Sequence, residues 1–431
     1  MRILFLSNFY PPARSGGYTQ WCQEVNERLA ERGHTTGILT SNYELAKVPA
    51  GEKNTYRHLH LEGDLNYYRP LHFFTQWKRE HQENLIFLEQ TVKDFAPDLI
   101  FVWGMWALSK SLPALAEQLL PGRVVYYISD YWPAKIDMHT TYWQSPARRQ
   151  PMRAAKRVVS KAVLPMIARE SQCELKLEHA MCVSTRVRDL LVEGGLPVQG
   201  CRIIYGGTDV ERFTSVRKRE DLSAPVKLLY AGQLVQHKGV HTAIAAMVIL
   251  VKEQNLNQIT LSLVGAGHPD YEASLHALVE REHLHNHVTF HKPVSKEAMP
   301  DILQQHDVLI FPSIYEEPFA RIVLEAMASG LVVVGTTTGG SKDILRDGET
   351  GLTFAPEDAD GLAKQITRLI ADPDLYQRAS QTGRQTVLEN FTLDRMVDEI
   401  EGYLKDCLVN SYQAPALLSF SHSRCEDVST T

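Results

Sequence analysis

The chain has 431 residues, of which 44% are hydrophobic and 22% charged, with a formal net charge of −6. This length favours two domains of about 200 residues each, and the negative charge gives no support to nucleic-acid binding. The six cysteines show no C-x-x-C spacing, which argues against a structural zinc site or a disulfide framework. No window approaches the roughly eighteen consecutive apolar residues of a membrane span, and the first apolar run is too short for a signal peptide. We therefore expect a cytoplasmic protein.

In the first half, short β-branched runs alternate with amphipathic segments of helical period. This alternation predicts a parallel sheet with crossover helices. The predicted strands are 3–7, 36–40, 99–103, 124–128, 180–184 and 202–205. A helix over 18–32, closed by Gly33 at its carboxyl end, is predicted after the first strand.

The second half restarts the same pattern after a polar stretch without periodicity. The strands predicted there are 227–231, 260–264, 287–291, 308–311, 332–335 and 351–354, and the region from 358 to about 409 is predicted to be helical. The fold class is therefore α/β, with two doubly wound, Rossmann-like domains that face each other across a cleft. The expected boundaries are a first domain over 1–206, a linker over 207–225, a second domain over 226–391 and a disordered tail over 410–431.

Ligands bind open parallel sheets beyond the carboxyl ends of the strands, and the loop at 315–326 occupies such a position. Pro318 is predicted in the first helical turn, where its missing N–H would be unpaired anyway, so the N–H groups of Phe319 and Ala320 face a diphosphate site. Glu317 is suited to accept hydrogen bonds from sugar hydroxyls. The alternative is that Glu317 is solvated and Glu325 pairs with a lysine on its own helix.

Two further loops follow first strands of the predicted domains. In 231–239, Gly232 permits a tight turn and Lys238 supplies a positive charge for phosphate, although such lysines are often plain surface charges. In 11–17, Gly16 and Gly17 allow a ligand to approach the backbone where a helix begins. The alternative for that loop is a flexible turn.

Together these motifs resemble the glycosyltransferases of family 4, which have the two-domain GT-B fold. The resemblance covers residues 1 to about 408 and is closer in the second half. It rests on Gly16-Gly17, Gly232 with Lys238-Gly239, Val264-Gly265-Ala266-Gly267, Glu317-x7-Glu325 with Ala326-Met327-Ala328-Ser329-Gly330, Gly339-Gly340 and Asp347-Gly348-Glu349-Thr350-Gly351-Leu352.

This resemblance implies a retaining transferase that moves a sugar from a nucleotide-diphosphate sugar to a glycan, lipid-linked or small-molecule acceptor. No metal and no cofactor are expected, and a helix over 392–409 is expected to return to the first domain. The catalytic candidates are Glu317, Lys238 and Asp130. The donor-binding candidates are Gly17, Gln233, Lys238, Phe319, Ala320, Glu325 and Lys292.

Two positions depart from the family's usual pattern. Gln233 stands where the family often has an arginine, so Lys238, Arg14 or Arg321 would have to supply positive charge. Ser129 stands where many members have a histidine that contacts the donor sugar. Ser129 itself, Asp130, or His139 from the same long loop would have to replace it.

A basic segment occupies 145–169, with seven arginines and lysines and no acidic residue. Five of them, Arg149, Arg153, Lys156, Arg157 and Lys161, are predicted on one helix face. Val158, Val159, Ala162 and Met166 are predicted on the opposite face, and Pro165 is expected to break the helix. The segment is either a helix packed on the first domain with a solvated basic face, or a patch that binds an anionic membrane or acceptor. In the second case the protein would be peripheral on the inner membrane face.

Two other functional classes remain open at this point. One is a nucleotide-sugar epimerase or a phosphorylase of the same fold. The other is a catalytically impaired nucleotide-sugar-binding relative, which is suggested by the departures from the family pattern at Gln233 and Ser129. Turnover of nucleotide sugars separates these classes from a transferase.

Overall fold

The computed structural model describes residues 1–413 except 14–15, 50, 66–67, 148, 172, 214–220 and 223–224, and omits the side chains of 169–171 and 412–413. Within these residues the chain forms two parallel sheets with helices packed on them. The predicted tail beyond 413 and most of the predicted linker lie outside the described residues.

The first sheet has the strand order β3-β2-β1-β4-β5-β6-β7, and all its pairings are parallel. Ile3 of the first strand lies opposite Thr36 on one side and Leu99 on the other. Its strands are β1 (Arg2–Leu6), β2 (Thr35–Ser41), β3 (Thr55–Leu59), β4 (Leu99–Val102), β5 (Val124–Ile128), β6 (His179–Cys182) and β7 (Arg202–Ile203). The helices of this half are α1 (Gly17–Glu31), α2 (Pro70–His72), α3 (Lys78–Phe95), α4 (Ser111–Leu119), α5 (Met138–Gln144), α6 (Met152–Ser171) and α7 (Thr185–Glu193).

The second sheet has the order β10-β9-β8-β11-β12-β13 and is also parallel. Its strands are β8 (Val226–Ala231), β9 (Ile259–Val264), β10 (Val288–His291), β11 (Val308–Phe311), β12 (Val332–Gly335) and β13 (Leu352–Thr353). The helices of this half are α8 (Val240–Val248), α9 (Pro269–Arg281), α10 (Met299–Gln304), α11 (Arg321–Ala328), α12 (Ala359–Ala371), α13 (Pro373–Asn390) and α14 (Leu393–Gln413).

The central strands are apolar throughout because helices cover both faces of each sheet. Every residue of β4, β5, β11 and β12 is buried. This pattern is typical of parallel sheets, whose strands lack a solvated face. The strand order reverses at β1/β4 in the first sheet and at β8/β11 in the second. These are the points where doubly wound sheets bind ligands, and they place the loops after β1, β8 and β11 at the cleft.

The structure confirms the predicted fold class, including a carboxyl-terminal helix that returns to the first domain. Thr392 pairs with Thr208 just before α14, and Glu401 within that helix accepts a hydrogen bond of 2.7 Å from Arg32 after α1. The helix runs to Gln413, past the residue at which the tail was predicted to begin. None of the helices in the described ranges is long and apolar enough to cross a bilayer.

Sequence analysis missed one strand, β3. Its residues Tyr56, Arg57 and His58 do not form an apolar run, yet Arg57 is buried. Arg57 is stabilised there by Glu52, 2.7 Å from its Nε, and by the backbone carbonyl groups of Tyr10 and Pro11. These partners lie outside the strand, so its own periodicity could not reveal it.

Two helix predictions were wrong in detail. Pro165 lies inside α6 and does not end it, because Val163 and Ile167 on either side pack into an aromatic cluster with Trp143 that holds the helix. Pro318 is not in the first helical turn, since α11 begins three residues later at Arg321.

Candidate active site in the interdomain cleft

A cavity of about 640 Å³ lies between the two domains. Gly16 and Gly17 at the start of α1 form its first-domain wall. The opposite wall comes from the loops after the second-domain strands β8, β9, β10 and β11. The structure brings six of the predicted site residues together around this cavity: Gly17, Gln233, Lys238, Glu317, Phe319 and Ala320.

Glu317 and Lys238 are in direct contact at the cavity. The Lys238 ammonium donates to Glu317 Oε1, which also accepts a hydrogen bond of 3.0 Å from the Ser313 hydroxyl. Only 8% of the surface of Glu317 is exposed. A lysine charge and a carboxylate are therefore fixed together in the cleft, and the burial of Glu317 limits the screening of their interaction by water.

The backbone of Glu317 is held by a pair of glycines. The Gly340 N–H donates to the Glu317 carbonyl at 2.7 Å. Gly339 has a φ of +66°, and a Cβ there would overlap the backbone of Glu317. This close approach explains why the sequence has Gly339-Gly340 at this turn.

Lys238 ends a 3₁₀ turn over Gln236–Lys238, immediately before α8. The His237 carbonyl in that turn accepts hydrogen bonds of 3.0 Å from the N–H groups of Ile314 and Tyr315, so the loops after β8 and β11 are tied together. Gly239 has a φ of +68°, and a Cβ there would overlap the carbonyl of Pro312. The glycine therefore lets the two loops approach closely enough for Lys238 to reach Glu317.

The N–H groups of Phe319 and Ala320 precede α11 instead of lying within it. In the part of the chain that the structure describes, neither donates a hydrogen bond to a protein acceptor. Ala320 occupies the amino-terminal cap of α11 in an extended conformation. Free N–H groups beside a helix amino terminus favour an anion, so this wall of the cavity suits phosphate oxygens.

Three predicted site residues do not line the cavity. Glu325 accepts a hydrogen bond of 2.9 Å from Arg321 one turn earlier in α11, so its partner is an arginine and not the lysine considered above. Lys292 is exposed just after β10, although the next residue, Pro293, does line the cavity. Asp130 follows β5 and accepts a hydrogen bond of 2.5 Å from the Trp132 N–H. Burial raises the pKa of Asp130, against the opposing effects of that hydrogen bond and of Lys135.

His139 does not replace the family's usual histidine. Its ring is buried beside Tyr68, whose hydroxyl lies 2.8 Å from Nδ1, and it contacts the rings of Phe73 and Trp77. Burial lowers the pKa of His139 to about 4. The side chain therefore belongs to an aromatic cluster of the first domain and does not line the interdomain cavity.

Sequence analysis missed an ion-pair network that joins the domains across the cleft, here called the interdomain clasp: Glu24, Lys296, Arg321 and Glu325. Arg321 donates two hydrogen bonds of 2.8 Å to Glu24 of α1, and Lys296 lies 2.5 Å from the same carboxylate. Burial alone would raise the pKa of Glu24, but Arg321 and Lys296 outweigh it and lower that pKa. The charge of Arg321 is thus already neutralised, so Arg321 does not compensate for Gln233, and Arg14 lies outside the described residues.

A second set of contacts links the domains beside Glu317. The Tyr131 hydroxyl and the Ser184 hydroxyl donate to the backbone carbonyl groups of Glu316 and Pro318, at 2.8 and 2.7 Å. The Arg186 guanidinium also pairs with the Glu316 side chain at 2.8 Å. First-domain residues therefore help to position the loop that carries Glu317.

Comparisons with known proteins agree with this geometry. The family model for "Glycosyltransferase Family 4" matches residues 15–212, and the model for "Glycosyl transferases group 1" matches 213–386. Glycogen synthase of Mycobacterium tuberculosis is 25% identical over 406 residues, which cover 91% of each chain. The lipopolysaccharide core biosynthesis glycosyltransferase LpsE of Rhizobium meliloti is 30% identical over 199 residues, covering 46% of this chain and 55% of LpsE.

Solved structures show the same architecture over nearly the whole chain. A glycosyltransferase from Rickettsia africae superposes with a TM-score of 0.69 at 19% identity, covering 95% of this chain and 99% of that one. Anabaena Alr3699/HepE, solved in complex with UDP and glucose, gives a TM-score of 0.66 at 19% identity, covering 94% and 100%. The two family models and the fold together identify a glycosyltransferase with the GT-B fold. The chain belongs to family 4 of these enzymes.

Proposed function

We propose that this glycosyltransferase takes its sugar from a nucleotide-diphosphate donor bound in the interdomain cavity and transfers it with retention of anomeric configuration. The observation that carries the proposal is the contact between Lys238 and Glu317 in that cavity, beside the free N–H groups of Phe319 and Ala320. A cation and free N–H groups suit the diphosphate, and a carboxylate suits the sugar hydroxyls.

In this arrangement Lys238 binds the diphosphate and neutralises the charge that develops as the bond to the sugar breaks. Gly17, at the first-domain wall, leaves room for the phosphates to approach the backbone. Glu317 holds sugar hydroxyls, and its charge also stabilises the positive charge that develops on the ring. Phe319 and Ala320 contribute their N–H groups.

The other predicted site residues have further roles in this proposal. Glu325 would bind the donor ribose, since among the described residues only one of its oxygens is taken, by Arg321. The nucleotide base would lie near the end of β10, with Lys292 at its outer edge. Gln233 lines the cavity and can donate hydrogen bonds without a charge. Asp130, which follows β5, would act from the acceptor side.

The names of similar proteins support a nucleotide-sugar donor. HepE of Anabaena was solved with UDP and with UDP-glucose. N-acetyl-alpha-D-glucosaminyl L-malate synthase of Bacillus anthracis, 28% identical over 197 residues, is named for a product that carries a glucosaminyl group. The acceptor is proposed to be a glycan, a lipid-linked sugar or a small molecule.

The test is incubation of the chain with a panel of UDP-, GDP- and ADP-sugars without acceptor. The proposal predicts slow release of the nucleoside diphosphate from one of these donors. Proton NMR spectra recorded early in the reaction should show the released sugar with the donor's anomeric configuration. Interconversion of sugars would indicate an epimerase, and saturable binding without turnover an impaired relative. Either result would contradict the proposal.

We also propose that the first domain rests on an anionic membrane through α6. The predicted apolar face of this helix is exposed and not packed on the domain: Val158 is 70% and Met166 is 42% exposed. The buried side instead carries Ser160, Val163 and Ile167. The exposed apolar residues lie beside exposed basic ones, and Leu71 and Phe74 near the same aromatic cluster are exposed as well.

An exposed helix surface with an apolar part and a basic flank is typical of helices that lie in a membrane interface. We call Val158, Val159, Ala162 and Met166, together with Arg153, Arg157 and Lys161, the membrane face, and include Arg149, which was predicted within the helix but precedes it. Lys156 is excluded because its ammonium donates to the Tyr142 carbonyl at 2.7 Å and lies over the aromatic ring of Tyr142. Arg148 lies outside the described residues. Sedimentation with anionic vesicles tests this proposal, and equal binding to neutral vesicles would contradict it.

A further inference from the structure

Two cysteines of the first domain lie side by side, although they are 19 positions apart in the sequence. Cys182 is the last residue of β6, and Cys201 immediately precedes β7, the neighbouring strand. Their sulfur atoms are 3.3 Å apart, and neither is part of a disulfide. Periodicity and C-x-x-C spacing do not reveal this pair, because it depends on how two strands align.

The separation of the two sulfur atoms is close to that of a disulfide. Bonded sulfur atoms lie about 2.0 Å apart, so these two have to approach by only about 1.3 Å. The pairing of β6 with β7 fixes the main chain beside both residues, with Met181 opposite Arg202 and Cys182 opposite Ile203. The fold therefore keeps the two thiols within reach of each other.

The two thiols differ in access and in acidity. Cys182 is fully buried, whereas Cys201 is partly exposed at the edge of the sheet, where β7 is the last strand. The hydrogen bond between the thiols lowers the pKa of Cys201, burial opposes this, and the charge of Arg188 in α7 lowers it further. The same hydrogen bond and burial raise the pKa of Cys182. Because the thiolate is the nucleophile, Cys201 is the sulfur that reacts first.

From this arrangement we propose that Cys182 and Cys201 form a modification site, at which a peroxide closes a reversible disulfide between β6 and β7. Cys201 is the thiol that meets the peroxide, and Cys182 is the buried thiol that resolves the product. This inference is independent of the proposed function, because it concerns neither the donor nor the acceptor.

The oxidation has two steps, written here for hydrogen peroxide. The Cys201 thiolate attacks one peroxide oxygen, the O–O bond breaks, and the leaving hydroxide takes up the proton that the thiol lost, so that Cys201 becomes a sulfenic acid. The Cys182 sulfur then attacks the Cys201 sulfur, the S–O bond breaks, and water leaves with the Cys182 thiol proton. In sum two thiols and one peroxide give one disulfide and two waters, and two electrons pass from sulfur to oxygen.

The disulfide would fasten two segments of the first domain that support the loop after β11. Just after the first cysteine, the Ser184 hydroxyl donates to the Pro318 carbonyl at 2.7 Å. Shortly after the second cysteine, the Tyr205 ring stacks on Phe319 with ring centroids 5.6 Å apart. The bond therefore strengthens the part of the first domain that contacts the second, and we expect the oxidised chain to be more stable than the reduced one.

The test is oxidation of the reduced full chain by hydrogen peroxide in slight excess, followed by blocking of the remaining thiols and digestion with trypsin. Arg186 and Arg188 lie between the two cysteines, so trypsin places them on separate peptides. Mass spectrometry should find these two peptides joined, and dithiothreitol should separate them. The Tm of the oxidised chain should exceed that of the reduced chain by roughly 5 °C, because the bond closes a loop in the unfolded chain.

Three outcomes would overturn the proposal. In the first, Cys201 gains oxygen atoms or stays reduced while Cys182 is recovered as a blocked thiol. In the second, either cysteine is joined to a different cysteine. In the third, the two peptides are joined but the Tm does not rise, which would overturn the stabilising role of the bond.

Three variants assign the two roles. In Cys182→Ala the sulfenic acid has no thiol to react with, so dimedone should label Cys201 after peroxide treatment, and it should label the unaltered chain far less. Cys201→Ser should abolish the rise in Tm. Cys173→Ser is the matched control, because Cys173 is also partly exposed and no other cysteine lies within hydrogen-bond distance of it in the described ranges. Loss of the joined peptides in this control, or a rise in Tm that survives in Cys201→Ser, would contradict the assignment.

Discussion

The substitution Glu317→Gln tests the role of the carboxylate in the cleft. Glutamine keeps the size of the side chain and its hydrogen bond to Ser313 but removes the charge that contacts Lys238. Because Glu317 is 8% exposed, its charge acts with little screening by water. Loss of one charged interaction with the developing positive sugar ring corresponds to roughly 2–4 kcal/mol, or about one and a half to three decades in kcat.

The assay is release of nucleoside diphosphate from the donor that the unaltered chain turns over, at saturating donor concentration. Glu282→Gln is the matched control, because Glu282 is a carboxylate of the same domain that follows α9 and pairs with Lys252 at 3.0 Å, outside the cavity. We expect kcat of the control to change by less than about threefold, as for an exposed ion pair. The reasoning is refuted if Glu317→Gln retains kcat within about threefold, or if both variants lose the same activity.

Three further predictions concern Lys238, the interdomain clasp and the membrane face. Lys238→Ala should weaken the binding of UDP, or of the matching diphosphate, far more than that of the free nucleoside, and calorimetry showing equal losses would argue against a phosphate partner. The ion pairs of the interdomain clasp lower the pKa of Glu24, so their stabilisation is present at neutral pH and is lost as the pH falls through that lowered pKa. The Tm of the unaltered chain should therefore exceed that of Glu24→Gln at neutral pH, by roughly 2–4 °C for each 1 kcal/mol lost, and a gap that does not shrink in acid would count against this. The protein should sediment with anionic vesicles at low salt and be released from them at about 0.15 M salt. Replacing the four basic residues of the membrane face by glutamine should abolish this binding.

Much of the fold could be predicted from the sequence because its strands are short apolar runs between helical segments. Residues 308–311 are such a run, and the structure forms β11 there with every side chain buried. β3 could not be predicted in this way. Its buried Arg57 depends on Glu52 and on two carbonyl groups of another loop, and strand periodicity does not report such partners.

Helix α6 shows a different limit. Its sequence indicates two faces, but periodicity alone does not tell which of them packs against the protein. The aromatic cluster around Trp143 covers the side with Val163 and Ile167, so Val158 and Met166 are left in solvent. Only the position of that cluster in three dimensions determines this choice.

The candidate site was also only partly predictable from the sequence. Loop positions after predicted strands, together with the family resemblance, predicted a site that includes Lys238 and Glu317, and the structure brings these two side chains together. The bond between Glu24 and Arg321 joins residues 297 positions apart in different domains. Neither residue belongs to a local motif with the other, so the clasp became visible only when both domains were in place.

We propose above all that the interdomain cavity binds the nucleotide sugar through Lys238 and Glu317. The most direct measurement is a crystal structure of the chain soaked with UDP-, GDP- and ADP-sugars. We expect density for one donor in the cleft, with its diphosphate within hydrogen-bond distance of Lys238 and of the Phe319 or Ala320 N–H, and its sugar hydroxyls on Glu317. A bound donor whose diphosphate lies away from Lys238, or whose sugar does not contact Glu317, would contradict this account.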